Sequence, residues 1–217
     1  MVKIAYYPGC TTKKFRPEMI EAAMQVFSTV NIDVINASDA VCCGYPLQEA
    51  GEEESARTMA RKALEELNEF NTIVTPCPTC TMMLRQFEPE KVKHMSEYLT
   101  ELLRANRSFK QGRLEVNFHD PCHLGRGARV YEAPRDVLKR LPGVTLIEVP
   151  HNREASLCCG GPAIHLFPDM ATVMAEDVLK EMNAPVLITA CPTCKSSLLR
   201  KNKQVYDIAE LVITRID

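Results

Sequence analysis

The chain has 217 residues, 46% of them hydrophobic and 25% charged, with a formal net charge of −2 at pH 7. This is the balance of an ordinary globular protein, long enough for one large domain or two small ones. It offers no basic footprint for nucleic acid or an anionic membrane surface, and no apolar run approaches the roughly 18–20 residues of a transmembrane segment. The opening "MVKIAYYPGC" has no leader of secretory type, so the expected location is cytoplasmic.

In chain order, "KIAYYP" is a β-rich run that meets the turn signal Pro8-Gly9 just before Cys10. Pro17 suits a first helical turn, and Ile20, Ala23, Met24 and Phe27 then recur at helical spacing over residues 17–30. A second strand, "IDVINA", runs into "VCCGYP" (Val41–Pro46). Residues 51–70 place Ala56, Met59, Ala63, Leu67 and Phe70 on one helical face. "TIVTP" is a third strand, and Cys77-Pro-Thr-Cys80 at its carboxyl end opens a further helix. The second half has strands near 114–119, 144–149 and 186–190 and helices near 133–141, 169–182 and 207–215. Met19/Met24 and Met170/Met174 read as core faces of their helices.

The second half restates the first. "YYPGC" meets "HDPC", "DAVCCGYP" meets "ASLCCGGP", and "TIVTPCPTC" meets "VLITACPTC". From Cys10 to Cys122, Cys42 to Cys158 and Cys77 to Cys191 the offsets are 112, 116 and 114 residues. "LTELL" (Leu99–Leu103) likewise matches "IAELV" (Ile208–Val212). Two copies are too few for a stacked solenoid, so this is a duplicated domain, with units expected at 1–107 and 108–217 and the joint within 105–113. Strands alternating with helices predict an α/β fold with a small, mostly parallel sheet in each unit. Ligands in such sheets gather at the carboxyl ends of the strands, and every cysteine group follows a predicted strand. Each half should therefore bring its cysteines to one sheet edge, as two facing sites about an approximate twofold axis.

All ten cysteines lie in the repeat, five per half. A disulfide framework is disfavoured by the chain length, and adjacent cysteines join each other only in a strained ring. The C-x-x-C pairs favour metal, yet zinc and ordinary iron–sulfur clusters take four protein ligands. Either the fifth thiolate reacts or exchanges, or the cofactor accepts five. Glycine after each vicinal pair (Gly44, Gly160) would allow a tight turn beside a bulky group.

The order C…CCG…C-x-x-C, twice, resembles the CCG cysteine-rich domain family, which includes the B-type catalytic subunit of heterodisulfide reductase. "FHDPCHLGRG" (Phe118–Gly127) is the sharpest local match. The resemblance implies two tandem CCG domains and one [4Fe-4S] cluster per five-cysteine set, of the non-cubane kind in heterodisulfide reductase. Cys10, Cys42, Cys43, Cys77 and Cys80 would hold one cluster; Cys122, Cys158, Cys159, Cys191 and Cys194 would hold the other. It further implies reduction of a small disulfide between facing clusters. The alternatives are the electron-transfer subunit of a lactate-, glycolate- or succinate-type dehydrogenase acting on an organic acid, or a module with Zn at one or both sites. The chain departs from the reductase pattern in its shorter CCG to C-x-x-C intervals and in "CCGGPAI", where Pro162 stiffens the loop.

The sequence contains no ferredoxin-type cysteine run and no G-x-G-x-x-G after a strand. Electrons are therefore expected to come from a ferredoxin-type iron–sulfur subunit or a flavoprotein. His119 and His123 flank Cys122 and are candidates for hydrogen bonding or proton delivery, and His165 follows the second CCG loop. Lys13, Lys14, Arg16, Arg126 and Arg129 read more readily as solvated surface than as an anion site.

Overall fold

The computed structural model describes residues 3–104, 108–199 and 204–217. Its two sheets are each four-stranded and wholly parallel. The first has the order β2-β1-β3-β4, with β1 Ile4–Tyr6, β2 Val34–Asn36, β3 Thr72–Thr75 and β4 Val92–His94. The second repeats that order as β6-β5-β7-β8, with β5 Leu114–His119, β6 Val144–Ile147, β7 Val186–Thr189 and β8 Gln204–Asp207. Parallel neighbours need crossover connections, which helices supply. The fold class agrees with that expected from the sequence. The expected joint after residue 107 falls at residues 105–107, outside the described residues.

The edge strands β4 and β8 are additions to the strands expected from sequence. Three to four residues with lysine or glutamine among them carry little strand signal. They become strands by pairing with β3 and β7, with Ile73 opposite Val92 and Leu187 opposite Val205. Each leads at once into a helix, α6 (Met95–Leu102) after β4 and α10 (Ile208–Arg215) after β8. Both helices begin with a capping box: His94 with Glu97, and Asp207 with Glu210.

The two halves share a core. Helix α2 (Pro17–Thr29) packs on α10, and its repeat counterpart α7 (Glu132–Arg140) packs on α6. The helix that leads to the second strand of each half thus meets the last helix of the other, as an approximate twofold requires. One continuous apolar cluster joins Tyr6, Phe27, Met95 and Leu99 to Val116, Phe118, Val137, Ile188 and Val212. Smaller clusters lie outside it, under α4 (Glu53–Glu66) and α5 (Pro78–Arg85) in one half and α8 (Pro168–Lys180) and α9 (Pro192–Leu198) in the other. Helix α4 is built from alanines facing in (Ala56, Ala60, Ala63) and charges facing out. Its small inward residues bring its backbone close to the vicinal-cysteine loop.

Candidate metal centre

Each half positions its cysteines from three strand ends. Cys10 lies in α1 (Gly9–Phe15) after β1, and Cys122 immediately precedes a π-helical turn, His123–Gly127, after β5. Cys77 and Cys191 are the N-caps of α5 and α9, placing Cys80 and Cys194 one turn later. Cys42–Cys43 and Cys158–Cys159 sit in loops ending at Gly44 and Gly160, both left-handed, at φ of +84° and +74°. A Cβ at these glycines would lie 2.4 Å from the Ala56 carbonyl oxygen and 2.6 Å from that of Ala171. The tight turn expected at this glycine is present in both copies, and the backbone of a neighbouring helix adds a second reason for it.

The thiols of each half form one string. In the first half Cys10 contacts Cys42, Cys42 contacts Cys43, Cys43 contacts Cys80, and Cys80 contacts Cys77. The second half repeats the order as Cys122, Cys158, Cys159, Cys194, Cys191. The Cys10–Cys42 sulfurs are 3.7 Å apart, and all ten cysteines are free thiols. Hydrogen bonds from neighbouring thiols favour particular thiolates: from Cys42 and Cys80 onto Cys43, from Cys80 onto Cys77, and from Cys122 and Cys159 onto Cys158. Their donors are correspondingly pushed up, Cys80 by bonding to Cys43 and Cys77, and Cys194 by bonding to Cys159 and Cys191. Backbone groups add to this, with Gly160 N–H donating to Cys158 Sγ at 3.4 Å and Cys194 N–H to Cys191 Sγ at 3.5 Å.

The two strings face one cavity of about 120 Å³, lined by all the cysteines except Cys42 and Cys158. Thr79 and Thr193, the threonines of the two CPTC motifs, also line it. So does Tyr45, which crosses from the first half to the second: its hydroxyl lies 2.7 Å from His123 Nε2, with the rings edge to face at 5.2 Å. His123 Nδ1 is 3.8 Å from Cys122 Sγ. Sequence reasoning passes over Tyr45, although it stands in "VCCGYP" where the second copy has Gly161.

Of the other candidates, His119 is buried, and its ring nitrogens lie 3.2 Å from the Leu157 carbonyl and 3.5 Å from Thr189 Oγ1. Burial lowers its pKa, so a neutral ring pins the CCG loop to β5. Arg126 donates to the carbonyls of Glu154 and Ser156, supporting the same loop. Lys13 bonds the Ser38 carbonyl and Asp39, Lys14 covers the Phe15 ring, and Arg129 reaches Glu154. These bonds tie them to protein groups rather than to an anion site. Arg16 and His165 line a separate pocket with Thr11 and Ser196.

Sequence reasoning also misses the buried pair that fixes the second site. Arg135, with no exposed surface, makes two 2.7 Å bonds to Asp120 and two more to Glu148, at 2.7 and 3.0 Å. Asp120 also accepts from the Arg153 N–H at 2.8 Å. It precedes Pro121-Cys122, so this bidentate clamp holds the backbone that delivers the cysteine.

The repeated thiol strings on two matched sheets are those of a known family. The chain belongs to the cysteine-rich CCG domain family, whose model matches residues 4–85 and 116–199. It is 31% identical to the D-type subunit of dihydromethanophenazine:CoB–CoM heterodisulfide reductase of Methanosarcina barkeri, over 96% of this chain and 58% of that protein. It is 27% identical to the B-type subunit of the fumarate reductase (CoM/CoB) of Methanothermobacter marburgensis, over 97% of this chain and 46% of that one. Lactate utilization protein A 2 of Bacillus cereus is 24% identical, over 97% of this chain and 98% of its own length. The chain thus spans about half the length of the first two relatives and nearly all of the third. Among the described residues no helix is long and apolar enough to cross a membrane.

Proposed function

We propose that this CCG-family chain is an iron–sulfur redox subunit that holds two [4Fe-4S] clusters and reduces a small disulfide between them. The observation that carries the reading is the pair of five-thiol strings facing one cavity. The donor set fits the group: soft thiolates suit iron–sulfur centres. Among the described residues no three His, Cys, Asp or Glu side chains converge on a single ion position, so the reading rests on the two ordered cysteine sets and the shared cavity. Cys10, Cys42, Cys43, Cys77 and Cys80 would hold one cluster, and Cys122, Cys158, Cys159, Cys191 and Cys194 the other. Bound there, the clusters supply single electrons.

The chain's own groups supply position. Thr79 and Thr193 offer hydroxyls at matched places on the cavity wall. The reaction consumes one disulfide, two electrons and two protons and yields two thiols. The electrons come from a partner redox protein, of ferredoxin or flavoprotein type, in a complex placed in the cytoplasm. The full-length match to a lactate utilization protein favours a second reading, in which the same sites pass electrons from an organic-acid dehydrogenase.

Iron and acid-labile sulfide in protein purified without oxygen test the cofactor, with about eight of each per chain expected. Oxidation of a reduced viologen on adding disulfide separates the readings. Zinc without sulfide overturns both, and full iron without disulfide-dependent oxidation leaves electron transfer.

A further inference from the structure

Helix α8 and the turn before it carry large apolar side chains on the outside of the molecule. Leu166 is 77% exposed, Phe167 and Met170 are each 57% exposed, and Val173 is 56% exposed. Phe167 is the N-cap of α8, with Leu166 just before it. Met170 and Val173 follow at the three-residue spacing that keeps side chains on one helical face. Met170, a core position by the sequence reading, thus stands in water, while Met174 is half-buried.

The duplication supplies an internal control. A Cβ at Gly44 would meet the Ala56 carbonyl oxygen as one at Gly160 would meet that of Ala171. Ala171 therefore matches Ala56, and Ala175 matches Ala60; all four are buried. In that register Leu166, Phe167, Met170 and Val173 stand where the first half has Gly51, Glu52, Ser55 and Thr58, which are exposed too. The same face is small or polar in one copy and apolar in the other. Folding does not demand the apolar residues, and leaving them in water forgoes the free energy that covering them would recover.

Size and charge indicate what covers them. The four side chains expose roughly 500 Å² together, within the range at which a contiguous apolar patch marks an interaction site. A standard interface takes about 800 Å² from each partner, and exposed Pro168, Asp169 and His165 flank the patch to extend it. Homodimer interfaces are more apolar than those of transient partners. Charge points the same way. From Leu166 to Ala175 the one charged residue is Asp169, so two copies meeting here face little like-charge repulsion. An anionic membrane would favour lysine or arginine around the patch, and none lies between Leu166 and Leu179.

We propose that this face joins two copies of the chain in an isologous dimer, α8 crossing its counterpart antiparallel with Met170 near the axis and Phe167 of each copy against Val173 of the other. The 3₁₀ turn Gly161–His165 links the second CCG loop to α8. The dimer therefore turns the second-half thiol string of each copy inward and leaves the first-half strings outward. The proposal stands whether or not the cofactor reading above holds.

Sedimentation velocity, run anaerobically on the protein as purified, tests it. The mass of two chains is expected at about 50 μM. Each substitution counts twice in an isologous interface, so Met170→Glu and, separately, Val173→Glu are expected to raise the dimer dissociation constant at least about a hundredfold. Both positions are exposed, so the circular dichroism spectrum and denaturation midpoint of each variant should match those of the unaltered chain. Ser55→Glu and Thr58→Glu, at the matching places of the first half, should leave the dimer intact. A monomer at about 100 μM overturns the proposal and assigns the face to a different protein. A dimer that survives both α8 variants, or that Ser55→Glu or Thr58→Glu dissociates, overturns it as well.

Discussion

At the scale of single residues, the second site depends on a buried charge pair. Arg135 and Asp120 are almost wholly buried and bound through two 2.7 Å contacts, and removing one partner strands the other. Arg135→Met is expected to cost about 3–5 kcal/mol, read as a lower denaturation midpoint. The double variant Asp120→Leu/Arg135→Met should recover part of that loss, because no buried charge is left unpaired. If the single and double variants are equally destabilised, the pair acts only through packing. None of this is legible in the sequence: Asp120 reads as a turn residue, and Arg135 as one more charge on a helix. Both acquire their role from the crossing of α7 over the end of β5.

At the scale of elements, the repeat has placed different side chains in one structural role. His94 and Asp207 occupy matching N-caps, and both are buried. Burial lowers His94 from its ordinary value of 6.5 to about 3. Burial raises Asp207 from 3.8 to about 7. The two slopes are opposite. Below pH 6.5 the unfolded chain takes up a proton at His94 that the folded chain refuses, so this contribution is lost as pH falls toward 3. Asp207 holds its proton when folded, so its contribution is complete below pH 3.8 and is lost as pH rises toward 7. Each slope is of the order of 1.4 kcal/mol per pH unit at most. His94→Asn should flatten the acid side of the stability profile, and Asp207→Asn the rise in stability on acidifying from pH 7 to 4. Chemical denaturation across pH 4–7 checks both. If neither variant changes its slope, the caps do not titrate with folding.

At the scale of the molecule, duplication did not produce two independent bodies. Helix α2 packs on α10 and α7 on α6, and one apolar cluster runs through both halves. Buried Lys195 also joins them, bonded to Glu18 of one half and Glu210 of its own at 2.8 and 2.7 Å. Residues 1–104 expressed alone would expose the inner faces of α2 and α6. That fragment is expected to lack a cooperative thermal transition by circular dichroism, while the whole chain unfolds in one step. Two separate transitions in the whole chain would show independent domains. The same crossing makes the cavity, since each wall comes from a different half.

The sequence alone determined the repeat, the α/β class and the ten cysteines in two ordered sets, because periodicity and strand-end placement are local properties. It did not contain β4 and β8, whose short polar strands exist only through pairing with β3 and β7. It contained the tight turn at the glycine of each CCG motif, but not the backbone of α4 or α8 that presses against it. Nor did it reveal that Tyr45 reaches His123 of the opposite half, where the second copy has Gly161. Both positions follow the same three letters in their copies. Only the approach of the opposite half gives Tyr45 its partner, and a contact between residues 78 positions apart leaves no periodic trace in the chain.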